Sequence, residues 1–238
     1  RARIDYHLPD LRGADRGRFA GKHVLLVGAG FSAATSLLGL VSLLEEEPGT
    51  RVVWARRSTG PDPFPLYPAD PLPERVRLAC EGNRIAAEPP PGCTAITGVA
   101  VKAVSASEEA LRVELRAVDG GGRPETLSVD RLIANVGYRP DLTIIRELQV
   151  HQCYASEGPM GLAAALLKAG GGGDCLAQTS PGPETLKSPE PGFFILGHKS
   201  YGRRSDFLLR AGLEQVCDVF RAIEEDPGLQ CRLFAVTK

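Results

Sequence analysis

The sequence predicts a three-layer α/β fold, a parallel sheet with helices and a β-meander crossover. Three observations carry this expectation. Short apolar runs are bounded by glycine, as strands buried on both faces are. A strand, a helix and a second strand follow one another within residues 23–55. The hydrophobic period then changes to two from residue 95 onward.

Taken in order, residues 1–20 are polar and irregular and read as a lead-in segment. Residues 23–27 (His-Val-Leu-Leu-Val) form the first buried strand. Residues 31–47 have helical composition and stop at Pro48-Gly49, a helix-ending pair. Residues 51–55 form the second strand, which completes a βαβ unit with a right-handed crossover. Pro61, Pro63, Pro65, Pro68, Pro71 and Pro73 then make a stretch that lacks ladder donors and should run over the surface as a stiff loop. A weak helix is expected over 74–87, before Pro89-Pro90-Pro91. Residues 95–104, 111–118 and 126–129 alternate as meander strands, with a turn at Asp119-Gly120-Gly121-Gly122, and lead into a buried strand over 131–136. Beyond Pro140 the spacing predicts a helix over 158–169 and a glycine run at 170–173. It then gives a buried strand over 193–196 and a long amphipathic helix over 205–225, with Phe207, Leu208, Leu213, Val216, Val219, Phe220 and Ile223 on its apolar side.

Composition excludes several function classes. The 238 residues carry 28 Lys and Arg against 29 Asp and Glu, a net charge of −1, so no basic footprint for nucleic acid is expected. No apolar run is long enough to cross a bilayer, and no signal peptide is visible, so neither a membrane nor a secreted protein is expected. Hydrophobic residues at 43 % and charged residues at 24 % mark a globular chain. Cysteines stand at 80, 93, 153, 175, 217 and 231 without a C-x-x-C pair, and His7, His23, His151 and His198 are scattered. Free thiols in a reducing cytoplasm are expected, with no metal site. The chain opens on Arg1 and its one methionine is Met160, so it is expected to be a piece of a longer protein.

The chemistry concentrates in Gly28-Ala29-Gly30-Phe31-Ser32-Ala33, a G-x-G-x-x-A directly between a strand and a helix. Gly28 permits the tight turn, Gly30 lets a pyrophosphate approach the backbone, and Ala33 is small enough for close helix–strand packing. Phe31 and Ser32 open the helix, where unpaired amides and the macrodipole favour an anion. A bland alternative is a glycine-rich turn that binds nothing. The second strand ends in Arg56-Arg57-Ser58 where an NAD site places a carboxylate. Two arginines suit a 2′-phosphate, so NADP(H) is favoured over NAD(H), the alternative being a solvated surface pair.

These motifs, together with Ala134-Asn135-Val136-Gly137-Tyr138-Arg139-Pro140-Asp141 and the segment 193–215, resemble the later part of a two-domain flavoprotein. The family is that of the pyridine nucleotide–disulfide oxidoreductases and flavin monooxygenase-like enzymes, with a Rossmann-like FAD/NAD(P)-binding fold. The resemblance covers roughly residues 15–222. It implies a lead-in over 1–20, an NADP(H)-binding domain over 21–141 and the C-terminal half of an FAD domain over 142–238. Gly137 would then lie where the chain leaves the NADP(H) domain near the cofactor. Gly197 and His198 stand where the family has Gly-Asp facing the flavin ribityl chain. The family's first glycine motif, which holds the FAD pyrophosphate, would precede Arg1. Cys153 and Cys175 do not make the close cysteine pair of the disulfide reductases, and no catalytic residue is assigned. The segment 199–204 is either a flavin- or substrate-facing loop or a basic surface loop with Ser205 capping the last helix.

The function expected on this resemblance is part of an NADPH-dependent flavoprotein oxidoreductase, with NADP(H) bound for hydride transfer to FAD, the FAD belonging to the full-length protein. The alternative is a non-catalytic NADP(H)-binding sensor or pseudoenzyme module. A short-chain dehydrogenase lacks support, since no Tyr-x-x-x-Lys pair falls in a helical context. The expected partners are the nicotinamide dinucleotide and the flavin, and a homo-oligomer is admitted.

Overall fold

The computed structural model describes residues 3–68, 70, 72–118, 122–169 and 180–225. Two compact units divide the chain, Arg1–Val136 and Gly137–Lys238.

The first unit is built on a five-stranded parallel sheet in the order β1-β8-β2-β3-β4. Its strands are β1 (Ile4–Asp5), β2 (His23–Val27), β3 (Arg51–Arg56), β4 (Cys93–Thr97) and β8 (Arg131–Ala134). The alternating pleat sends successive side chains to opposite faces, and here both faces are covered. Val24, Leu26, Val52, Trp54 and Ile133 pack against Ala34, Leu37, Leu40 and Leu43 of α2 (Phe31–Glu46) and Ala79 and Ile85 of α3 (Pro73–Ala87). Leu25, Val53, Ala55 and Leu132 face the other way, onto Val99, Leu111, Val113, Leu115 and Val129. That second core belongs to an antiparallel sheet of β5 (Val99–Ala106), β6 (Leu111–Ala117) and β7 (Glu125–Val129). Helices, parallel sheet and meander are therefore the three layers.

Three local expectations change. The stretch 95–104 is two strands in two sheets, divided at Gly98, whose φ of +66° lets the chain turn from β4 into β5. The lead-in is part of the fold, because Ile4 and Asp5 pair with Leu132 and Ile133. Phe19, at the end of α1 (Arg16–Phe19), is fully buried, which ties the same segment to the helix-side core. The proline-rich segment is pinned rather than free. Asn83 of α3 accepts from Phe64 N (3.0 Å) and donates to Phe64 O (2.9 Å), and the Phe64 ring stacks on Trp54 at 5.7 Å.

In the second unit, α4 (Met160–Lys168), α5 (Leu209–Glu225) and two 3-10 turns, Pro183–Leu186 and Gly197–Tyr201, share a small core. Leu162, Leu166, Leu186, Tyr201, Ala211 and Val219 form it. The strand expected over 193–196 is not formed: no described strand offers it a ladder, and a parallel strand exists only by pairing. The last helix starts at Leu209, so Ser205 is not its cap. Its large apolar residues lie on one side, as expected, but that side is only partly covered, with Val219 buried while Leu213 and Phe220 are exposed. The glycine run at 170–173, residues 119–121 of the expected turn, Pro71, Cys175 and Cys231 lie outside the described residues.

Candidate functional site

The glycine turn joins β2 to α2 at the carboxyl edge of the parallel sheet. β2 runs beside β3 on one side and β8 on the other, so the chain's winding reverses between β2 and β8. In open α/β sheets ligands bind outside the strand ends at such a reversal.

Each residue of the turn has a separate job. Gly28 has φ +137°, and a Cβ there would stand 2.2 Å from the Asn135 carbonyl oxygen and 3.4 Å from the Ala33 Cβ. Only glycine allows this approach. Its N–H donates to Ala55 O (3.1 Å), and its own carbonyl accepts from the Trp54 indole (2.8 Å), so the turn is fixed to β3 from both sides. Gly30 caps α2 in extended conformation, φ −93° and ψ 176°, and nothing lies within 4 Å of where its Cβ would be. Ala33 is fully buried, Phe31 packs partly into the helix-side core, and Ser32 is half-exposed. The first turn of α2 contains no acidic side chain and no side-chain cap, which leaves its leading amides open to an anion.

Arg56 and Arg57 part company. Arg56 is 4 % exposed, its Nη1 donating to Ser58 O (2.9 Å), Ser58 Oγ (3.2 Å) and Gly60 O (2.8 Å). Its guanidinium lies 5.5 Å from the Trp54 ring centroid, its Nε has no partner, and among the described residues it forms no ion pair. Burial alone pushes its pKa down. Arg57 and Ser58 are exposed. The expected pair is thus one buried cation that closes the 58–60 turn and one exposed cation beside it. The reason is position: Arg56, the last residue of β3, shares the helix-side face with Trp54, and Arg57 lies past the strand's end.

Sequence reasoning missed Asn135, Ser36 and Trp54. Ser36 Oγ donates to Asn135 Oδ1 at 2.7 Å in a buried pair that ties α2 to the end of β8. A polar residue closing an otherwise apolar strand was the available signal.

The remaining site residues belong to the second unit. Gly137 has φ +88° and open space around it. The Gly197 N–H donates to Gln215 Oε1 (2.8 Å), and Gln215 Nε2 donates to Ser200 Oγ (2.9 Å), a buried network at the start of the 3-10 turn. His198 is exposed, its ring edge-on to Phe207. The Gly197 amide is therefore spent inside the protein, and the segment 193–196 forms no strand.

Four cysteines are described, all free: Cys80 and Cys217 exposed, Cys93 buried, Cys153 half-exposed. The Ser156 hydroxyl and the Ser156 and Ala155 amides hydrogen-bond the Cys153 sulfur and hold its pKa below the ordinary thiol value, while burial pushes Cys93 up to about 11. No helix among the described residues is long and apolar enough to cross a membrane.

No family model matches this chain, and no curated protein matches it either. Solved structures do. The bacillithiol disulfide reductase of Bacillus cereus superposes with a TM-score of 0.57 at 17 % identity, over 87 % of this chain and 51 % of that one. The thioredoxin reductase of T. acidophilum follows at 0.53 and 14 %, over 92 % and 57 %. The bacillithiol disulfide reductase of Staphylococcus aureus gives 0.52 and 14 %, over 87 % and 52 %. The fold is that of the disulfide reductases. The chain spans about half the length of these neighbours.

Proposed function

We propose that this chain binds NADP(H) on the Gly28–Ala33 turn and serves as the nicotinamide-nucleotide part of a flavoprotein oxidoreductase. The observation that carries the reading is the open cradle at Gly30. Its Cβ position is empty to 4 Å, it sits on helix amides without an acidic neighbour, and it lies at the reversal point of a parallel sheet.

In this reading the leading amides of α2 hold the pyrophosphate, and Gly30 keeps the approach clear. Gly28, locked by Trp54 and Ala55, sets the angle at which those amides point. Arg56 supplies a positive charge that no carboxylate among the described residues neutralises and fixes the 58–60 turn, leaving Arg57 and Ser58 to face a 2′-phosphate. Bound nicotinamide would supply a hydride, and the protein's part is to hold and orient it. The Gly197 amide, which would face the flavin, is already paired with Gln215.

That same occupied amide favours a second reading, a nucleotide-binding module without catalysis of its own. Calorimetric titration of the chain with NADPH and NADH tests the first claim. Charge-assisted hydrogen bonds contribute about 1.5–3 kcal/mol each, so NADPH should bind roughly one to two decades more tightly. Equal affinities would overturn the assignment to NADP(H). An absorbance spectrum of the protein as its gene encodes it separates the two readings, since bound flavin is expected only of the oxidoreductase.

A further inference from the structure

Asn135 stands at the point where β8 passes the glycine turn, and its side chain is placed with unusual care. Its N–H donates to Val27 O (2.9 Å), and its carbonyl is the atom that forbids a Cβ on Gly28. The side chain lies on the helix face of the sheet, as Ile133 does two residues earlier, and only 7 % of the residue is exposed. There Ser36 donates to Oδ1 at 2.7 Å. An amide held at its oxygen has its nitrogen turned the other way. Among the described residues the Asn135 Nδ2 makes no hydrogen bond, and it is not one of the sealed-off orphan atoms, so it reaches the surface at the sheet's carboxyl edge. A residue more than nine-tenths buried thus keeps one donor unspent beside the empty cradle. Buried polar groups are normally satisfied, and an unspent donor at a ligand-binding edge has its partner in the ligand.

We propose that Asn135 is a nucleotide-contacting residue, its Nδ2 donating to a phosphate oxygen of the dinucleotide seated on the Gly28–Ala33 turn, with Ser36 as the positioning residue that fixes the amide. This rests on the NADP(H) reading above and adds a contact that the glycine motif does not contain. A phosphate oxygen is the chemistry that suits the site, because the donor stands alongside the α2 amides that favour an anion. With Ser36 donating to Oδ1, that oxygen is turned away from the anion and Nδ2 is left to face it.

The decisive variant is Asn135→Asp in the full 238-residue chain. An aspartate keeps an acceptor for Ser36 but replaces the donor with a negative oxygen. Titrated with NADPH by calorimetry, it should bind about ten- to a hundredfold more weakly than the wild type. Because an added buried charge can unfold the site, the Ser36→Ala/Asn135→Leu double variant is measured alongside. It replaces both partners of a buried hydrogen bond with apolar groups of similar shape, an exchange that leaves stability nearly unchanged. It should melt with the wild type yet bind NADPH about tenfold more weakly. Ser36→Ala alone frees the amide to turn and should weaken binding about threefold. If the wild type binds NADPH and the folded double variant binds it equally well, the Asn135 contact is wrong while the cofactor reading stands. If the wild type itself ignores NADPH, the cofactor reading fails and the contact with it.

Discussion

Gly28 and Gly30 belong to one motif, yet the structure makes opposite predictions for them. In Gly28→Ala the new methyl would sit 2.2 Å from the Asn135 carbonyl oxygen and 2.9 Å from its carbon, both backbone atoms of β8. Backbone cannot step aside as a flexible side chain can. Strain at a φ of +137° costs a non-glycine residue about 1–3 kcal/mol. Overpacking adds about 1–3 kcal/mol. The sum, about 2–6 kcal/mol, is a large share of the 5–15 kcal/mol or so typical of a domain. At about 4 °C per kcal/mol, the unit Arg1–Val136 should melt roughly 8–24 °C lower. Gly30→Val differs on both counts. Its φ of −93° suits any residue and its Cβ meets nothing, so only the poorer helix cap remains, at about 1 kcal/mol. It should melt within about 4 °C of the wild type but lose NADPH, because the isopropyl group fills the phosphate's approach. Differential scanning calorimetry with a parallel NADPH titration reads both. A Gly28→Ala protein that melts with the wild type, or a folded Gly30→Val protein that still binds NADPH, would refute the geometry argued for the turn.

The arginines should separate in the same way. Arg57→Ala should weaken NADPH binding and leave the melting temperature alone. Arg56→Ala should lower both, since it also removes three hydrogen bonds to Ser58 and Gly60; unchanged NADPH affinity in the double variant would remove both from the site. Thiol reactivity gives a test independent of any cofactor. A lowered pKa means the Cys153 thiolate persists to lower pH, so its alkylation by iodoacetamide should reach half-maximal rate at a lower pH than that of a short unstructured cysteine peptide measured alongside. Cys93, pushed up to about 11 and buried, should remain unlabelled at neutral pH. Peptide mass spectrometry follows both, and an ordinary or raised midpoint for Cys153 would count against the Ser156 and Ala155 hydrogen bonds. Replacing Asn83 with Ala should release Phe64 from Trp54 and expose the 58–68 segment, read as faster cleavage there by a protease; unchanged cleavage would mean that the clamp does not hold the loop.

What the sequence determined by itself is what local patterning encodes. Short apolar runs bounded by glycine, such as Val24–Val27, read as buried strands, the Gly28-Ala29-Gly30 turn marks the junction of a strand and a helix, and alternation marks the meander. Helix α2 ends one residue, and α3 begins one residue, from where composition placed them. Those features depend on neighbours in the chain. What only the tertiary structure decided depends on neighbours in space. Whether residues 193–196 are a strand turns on a partner ladder, and none of the described strands supplies one. Whether Arg56 faces solvent turns on the pleat beneath Trp54 and the loop folded over it. How the buried Asn135 amide is oriented turns on Ser36, which stands 99 residues away and, across the fold, 2.7 Å from it. Periodicity carries no information about contacts of that separation, because they are fixed by how the layers pack and not by any one layer's own sequence.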